Sequence, residues 1–572
     1  MTTPQQSNGR RNGAPGAALD VLLTDAAVGN PAARLARSPA DAINTAARIA
    51  GRPDRLARRA GGLARDLAQI ARGESEIAPA KGDRRFADPA WQRNWFFRRL
   101  GQAYLAAGAA ADGVIEDASL DWRADTSARF IAGNVHDLLA PTNFALTNPA
   151  VLKETLDQGG ANLVKGMRRA GRDLGARRLP AMVDTSRFEV GGNLALSEGA
   201  VVLRTEVFEL IQYKPTTDRV YEVPLLIVPP TINKYYILDL APGRSLVEHL
   251  VAQGQQLFVV SWRNPDEAQG HYDFDTYASA ILEASAAVSA IAKQPAVNLA
   301  AACSGGIVSA GLLGHLAAAG DLGDHVNSLT LMVCALDAEH AGTASALARR
   351  ELAATAVAQS ARSGYVDGKA LGNVFAWLRP NDLVWGYVVN NYLMGKAPPA
   401  FDILYWNQDG VRLAAGLHRD FVHMALDNTM AHAGAMTVLG SPVDLGAVDI
   451  DVYAVAGLND HIVPWENAYR GVRLFGGATR FVLSTSGHIQ ALINPPGRAG
   501  SESRSSYRVT AELPQHEADF LRDVPTMSGS WWPDYTAWLG ERAGAHKASP
   551  KRLGNARFKP MAKAPGTYVH AS

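Results

Sequence analysis

The stretch NLAAACSGGIVSAGLL, residues 298–313, constrains the fold of this chain more than any other. An apolar strand, Val297–Ala302, runs into Cys303-Ser304-Gly305-Gly306 and continues without a spacer as a helix. Strand, sharp turn and helix with a nucleophilic side chain at the turn make a nucleophile elbow, here with cysteine at its tip. The turn is strained and crowded, so its neighbours must be small, as Ala301 and Gly305 are. An elbow of this kind needs a sheet of strands that each feed a helix. The rest of the sequence supplies that rhythm: Val201–Tyr213, Val220–Val228, Leu257–Ser261, Val326–Leu336, Ile450–Ala456 and Arg480–Leu483 read as strands. Tyr277–Lys293 and Ile307–Ala319 read as helices between them. Short buried strands alternating with helices predict a mainly parallel α/β sheet.

The helix N-terminus under Cys303 favours a thiolate, and the Ser304 amide can point at an oxyanion. The competing reading is a buried structural cysteine beside a Gly-rich turn. A Cys nucleophile needs a base and a group to orient that base, each following a strand in the order nucleophile, acid, histidine. Strand Ile450–Ala456 leads into Gly457-Leu458-Asn459-Asp460, which puts Asp460 just past a strand C-terminus. Strand Arg480–Leu483 leads into Ser484-Thr485-Ser486-Gly487-His488, which makes His488 the natural base. His461 competes with it, but a residue adjacent to the acid rarely presents its ring to that acid, so a supporting role is expected. Cys334, inside an apolar strand, reads as core packing. The loop Pro229-Pro230-Thr231-Ile232-Asn233-Lys234 follows the strand ending at Val228, where a second oxyanion amide is donated in such folds. Ile232 or Asn233 would be that donor; a Pro-stiffened turn is the equal alternative.

The chain divides by texture. Residues 1–80 read as a flexible Arg/Ala-rich tail, although Arg48–Arg72 carries Leu and Ile at helical spacing and also reads as an amphipathic helix on an apolar surface. Residues 81–200 read as a helical N-terminal domain, with Asn148-Pro149 marking a helix start. Residues 201–545 read as the catalytic domain and 546–572 as a C-terminal tail. Residues about 340–440 break the strand–helix rhythm with aromatic, Pro-spotted text and read as a lid or cap insertion.

Composition removes several function classes. The chain of 572 residues has two cysteines, Cys303 and Cys334, so a disulfide framework and Cys-rich metal sites are excluded. A net charge of +1 argues against a dedicated nucleic-acid binder. No apolar run is long enough to span a bilayer, and the first twenty residues have no secretory h-region. No HExxH, CxxC, P-loop or GxGxxG occurs, so no metal or nucleotide cofactor is expected. The expectation is a soluble cytoplasmic enzyme.

Together, FADPAWQRNWFFRRLGQAYL, PTNFALTNPAVL, PPTINKYYILDLAPGRSLVEHLVAQGQQLFVVSWRNPD, AACSGG, GLNDHIVPW, SGHIQALINPP and GSWWPDYTAWL resemble the polyhydroxyalkanoate synthases over about residues 86 to 540. The resemblance implies an α/β-hydrolase core with a helical N-terminal domain and a triad of Cys303, Asp460 and His488. It looks like the single-subunit forms, classes I and II; Ser304 looks like the class II box, and one residue does not assign monomer length. It implies polymerisation of (R)-3-hydroxyacyl-CoA with release of CoA, which is the leaving group of the substrate and not a cofactor. It further implies a homodimer, and a growing polyester and its granule surface as partners. Asp460 is implied to assist His488 or to help activate the hydroxyl of the incoming unit. The aromatic insertion, with Trp377, Trp385, Tyr387, Tyr392, Tyr405 and Trp406, suits a dry tunnel, or else forms ordinary lid core. Two rivals remain. A thioesterase or polyester depolymerase would share the fold but use water as acceptor, and a non-catalytic granule scaffold would tolerate loss of Cys303.

Overall fold

Apolar strands that are buried along their whole length pair at the centre of the computed structural model, which describes residues 47, 48, 50–176, 178–339, 350–497 and 505–571. The strands that matter are β1 Gly199–Arg204, β2 Phe208–Tyr213, β3 Arg219–Tyr221, β4 Leu225–Val228, β5 Leu257–Trp262, β6 Val297–Ala302 and β7 Val326–Met332. They continue with β8 Asp451–Gly457, β9 Thr479–Ser484, β10 Ser506–Thr510, β11 Met527–Ser528, β12 His546–Ala548 and β13 Ala562–Lys563. An 11-stranded sheet runs in the order β11-β10-β9-β8-β7-β6-β4-β5-β2-β1-β13. Its middle, from β5 through β4, β6, β7 and β8 to β9, is parallel, and its flanks are antiparallel. Every residue of β4, β5 and β6 is buried, as a sheet covered on both faces requires. This is the α/β-hydrolase fold.

Three expected strands are broken, each by a local cause. Val201–Tyr213 folds as the hairpin β1–β2, because Thr205 Oγ1 accepts from the amides of Val207 and Phe208, both at 3.1 Å. Val220–Val228 is split into β3 and β4 around Pro224, which has no amide to give to a ladder. β7 stops at Met332 because Val333 lies at φ +51°.

Helices Pro53–Arg72, Trp95–Asp117, Trp122–Leu138, Pro149–Asp157 and Ala161–Gly175 precede the sheet. Asn148 caps its helix from Oδ1 to the amides of Ala150 (3.0 Å) and Val151 (3.3 Å), with Pro149 in the first position. Residues 1–46 and 49, the larger part of the expected flexible tail, lie outside the described residues. Within that stretch Pro53–Arg72 is a helix, as the helical spacing of its Leu and Ile residues suggests, and not a tail. Arg59 forks onto Asp117 at 2.6 and 3.1 Å, and Arg52 donates to the Asp117 carbonyl at 2.6 Å. These arginines fasten the helix to Trp95–Asp117. The C-terminal stretch is also more than a tail. β12 pairs with β3 and β13 with β1, and buried Glu209 accepts from the amides of Thr567 (2.8 Å) and Tyr568 (3.0 Å).

The insertion between β7 and β8 contains helices Arg350–Ser363, Gly368–Leu378, Asp402–Gln408 and Ala415–Asp427, with π-helical turns Asn381–Trp385 and Val388–Leu393. Residues 340–349 lie outside the described residues. Both ends of the insertion are joined: Asn428 Nδ2 donates to Asp337 Oδ1 (3.0 Å), and the Ala338 amide donates back to Asn428 Oδ1 (2.7 Å). Its outer side packs on the N-terminal helices. Asn162 donates to the Leu393 carbonyl (2.8 Å), Tyr392 Oη donates to Asp173 (2.9 Å), and a Cβ at Gly166 would overlap the Tyr392 carbonyl.

Candidate active site

β6 delivers Cys303 to the C-terminal edge of the parallel strands, and helix Cys303–Ala319 starts on that residue. Cys303 has φ +49°, a left-handed backbone that a non-glycine residue holds only at a cost of about 1–3 kcal/mol. The surroundings enforce it. A Cβ at Gly305 would overlap the Pro229 carbonyl, and one at Gly306 would overlap Cys334 Sγ. Cys334 points its thiol at the carbonyls of Met332 (3.3 Å) and Cys303 (3.4 Å), and burial pushes its pKa up, so it stays a thiol under the elbow. That matches its reading as packing.

The expected partners of Cys303 converge on it. Asp460 follows β8, and its Oδ1 accepts from the amides of Ile462 (2.7 Å) and Val463 (2.9 Å). Those two bonds aim Oδ2 at His488 Nδ1, 2.7 Å away. His488 opens a short helix after β9, beside Cys303, which adds to the rise of its ring pKa. All three residues are buried, each exposed by 5% or less. Burial opposes charge on His488, but the Asp460 carboxylate and then Cys303 outweigh it and raise the ring pKa from 6.5 to about 10. Asp460 thus supports positive charge on the ring, which suits a base that must take up a proton during the reaction. His461 has the opposite state: burial lowers its pKa to about 4, and its buried Nδ1 has no partner among the described residues. It is a neutral neighbour and not the ring on Asp460.

The loop after β4 lies against the elbow. The Ser304 side chain accepts from the Thr231 amide (2.9 Å) and from Thr231 Oγ1 (3.0 Å), so the residue after the nucleophile clamps the loop that carries Ile232 and Asn233. The Ile232 carbonyl accepts from the Val411 amide (3.2 Å), and Asn233 bridges Gly410. Neither the Ile232 nor the Asn233 amide donates a hydrogen bond among the described residues. The hold of the insertion on this loop was not legible in the sequence, because the partners lie far downstream. Lys234 Nζ, almost wholly buried, meets Asp409 Oδ1 at 2.6 Å, and Tyr236 Oη donates to Asp409 Oδ2 at 2.8 Å.

Several lid aromatics have packing work of their own. Trp406 is buried and donates to the Lys234 carbonyl at 2.7 Å, Tyr405 packs against Phe188 with the rings tilted and their centres 5.2 Å apart, and Trp377 meets Trp385 edge-on at 6.3 Å. Among the described residues no group of three or more His, Cys, Asp or Glu could hold a metal ion. No helix of the described residues is long and apolar enough to cross a membrane.

Residues 82–250 match the family described as the poly-beta-hydroxybutyrate polymerase (PhaC) N-terminus, and residues 224–495 match the alpha/beta hydrolase fold. Among curated proteins, poly(3-hydroxyalkanoate) polymerase 1 of Ectopseudomonas oleovorans is 42% identical over 505 residues, covering 88% of this chain and 89% of the relative. Polymerase 2 of the same organism is 44% identical over 504 residues, with the same coverage of each chain. The poly(3-hydroxyalkanoate) polymerase subunit PhaC of Cupriavidus necator is 39% identical over 509 residues, covering 88% of this chain and 85% of the relative.

Proposed function

The chain belongs to the poly(3-hydroxyalkanoate) polymerase family of acyltransferases, and from that premise we propose that it builds its polyester from (R)-3-hydroxyacyl-CoA through an acyl-Cys303 intermediate. The observation that carries this reading is the burial together of Cys303, His488 and Asp460 at a strained elbow, with His488 Nδ1 2.7 Å from Asp460.

With Nδ1 committed to Asp460, the other ring nitrogen, Nε2, serves Cys303. The thiol proton passes to His488, and Sγ attacks the thioester carbonyl. The negative oxygen that forms is held by the Ser304 amide and by an amide of the Ile232–Asn233 loop. Collapse of this intermediate breaks the C–S bond to CoA, and His488 protonates the departing thiolate. The acyl group stays on Cys303 as a thioester, close in energy to the one consumed, and so remains reactive. The 3-hydroxyl of a second acyl unit then attacks it, giving its proton to His488, so one ester forms and one thioester breaks.

Water as acceptor would turn the same steps into thioester hydrolysis. The burial of Cys303, His488 and Asp460 supports the polymer-forming outcome, because a dry site leaves a delivered hydroxyl as the available acceptor. The second element of the proposal is adhesion to the product. Most of the large apolar side chains left exposed among the described residues lie in the N-terminal helical region, with Trp95 68%, Leu146 80% and Leu156 82% exposed. Such a surface suits contact with an insoluble polyester inclusion.

The test is CoA release from short- and medium-chain (R)-3-hydroxyacyl-CoA, with insoluble product weighed in the same tubes, for the unaltered chain and Cys303→Ala. Polymer matching the CoA released, and loss of both in the variant, is expected. CoA release that yields only free hydroxy acid would overturn the polymerising step, and release that survives Cys303→Ala would overturn the covalent one.

A further inference from the structure

The lid and the loop beside the nucleophile are built as one piece. Segment 406–411 of the lid touches residues 232–236 at five places. Trp406 Nε1 donates to the Lys234 carbonyl (2.7 Å), and the Val411 amide donates to the Ile232 carbonyl (3.2 Å). Gly410 bridges Asn233, Lys234 Nζ pairs with Asp409 (2.6 Å), and Tyr236 Oη donates to Asp409 (2.8 Å). The Lys234 side chain is 6% exposed and that of Asp409 23%. An ion pair in this setting is stabilising only with close geometry and further hydrogen bonds, and removing one partner leaves a poorly solvated charge. It is therefore a stiff strut. The opposite side of the loop is clamped by Ser304 through Thr231.

We propose that Lys234, Asp409 and Tyr236 are positioning residues that fix the Ile232–Asn233 amides against the oxyanion, so that acyl transfer is fast only with lid segment 406–411 seated. The inference rests on the reading of this loop as the second oxyanion donor. The physical ground is steep distance dependence. A donor removed outright costs about 10²–10³-fold, and a displacement of about 1 Å comes near the lower of these values. The strut carries no atom to the substrate; it acts through the backbone it holds. It also links the state of the lid to the chemistry at Cys303 through the backbone of residues 232–236.

The experiment compares the unaltered full-length chain with Lys234→Met, Asp409→Asn, the double variant and Tyr236→Phe. Tyr236→Phe removes one hydroxyl from the strut and keeps the ring, so it reports even where the charge variants fold poorly. Two rates are read: the first turnover of CoA release, and alkylation of Cys303 by iodoacetamide. Alkylation is a substitution at carbon with no oxyanion, so it senses the nucleophile but not the loop. Expected are an acylation rate and kcat lower by about 10- to 100-fold for the charge variants, and by about three- to ten-fold for Tyr236→Phe. KM and the alkylation rate should hold, and the double variant should lose no more than the worse single one. CoA release at the unaltered rate would overturn the proposal, as would a rise in KM alone or an equal fall in acylation and alkylation. Cys303→Ala run alongside separates the two failures. Release that survives it sinks the covalent reading, whereas release abolished there but undiminished in the strut variants sinks only the strut.

Discussion

Asp460→Asn tests the electrostatics of the site with the least change in shape. The carboxylate's Oδ1 is held by the amides of Ile462 and Val463, so the asparagine carbonyl is kept there and its NH2 is turned onto His488 Nδ1. The ring nitrogen facing it must then accept, the ring proton moves to Nε2, and His488 can no longer take the proton of Cys303. A triad in this wrong tautomer loses on the order of 10³–10⁴-fold in rate. The same change has a signature in stability. With Asp460 present, His488 is raised from 6.5 to about 10 against the pull of burial, and Asp460 supplies most of the rise. A raised pKa stabilises the fold fully below the unfolded value and loses that contribution as pH climbs through the folded value. At 1.36 kcal/mol per unit this is at most ~5 kcal/mol below about pH 6, ~3 kcal/mol at about pH 7.5, and close to nothing above about pH 10. The denaturation midpoints of the unaltered chain and Asp460→Asn should therefore lie far apart at about pH 6 and converge by about pH 9.5–10. CoA release in the variant should stay low throughout. A constant gap across that range would mean that Asp460 contributes packing alone, and an active variant would refute the assignment of the base.

Glu209→Ala should cost about 3–5 kcal/mol, because it strands Arg204 and the Thr567 and Tyr568 amides around a buried void; urea unfolding and release of the C-terminal peptide by limited proteolysis check it, and a cost below about 1 kcal/mol would show that the terminus is held by the pairings of β12 and β13 without it. Replacing Trp95, Leu146 and Leu156 by Gln should leave the fold nearly unchanged, since all three are exposed, yet reduce binding to isolated polyester granules at least about tenfold. Undiminished cosedimentation of that variant with the granules would clear this surface of any part in adhesion.

The elbow was legible because its demands are local. A strand that ends in Cys303 and a helix that starts there leave room only for small neighbours, and Gly305 and Gly306 sit where any Cβ would meet the Pro229 carbonyl or Cys334 Sγ. Asp460 and His488 were legible for a related reason. Parallel strands place their C-terminal loops at one edge, so their sequence order predicts that they meet, and a 2.7 Å contact joins them. Strand ends were less legible, because the reading followed apolar content and missed single backbone events: Thr205 turning a hairpin, and Val333 at positive φ.

What the sequence withheld has one physical character. Arg59 with Asp117, Lys234 with Asp409, and Glu209 with Thr567 are polar residues separated by 58, 175 and 358 positions. Each reads alone as ordinary surface, because periodicity registers apolar side chains and treats charge as a mark of solvent. Only a partner folded in from elsewhere makes such a group inexpensive to bury. These ties also fasten segments distant in sequence: the first helix to the helical region, the insertion to the loop beside Cys303, and the C-terminus to the edge of the sheet. A buried site that must admit an acyl-CoA and extend a polymer cannot be sealed by apolar packing alone, since a greasy seam has little directional preference. Hydrogen-bonded charges have one seated geometry and lose much when displaced, which gives the insertion a defined seat on the loop beside the nucleophile.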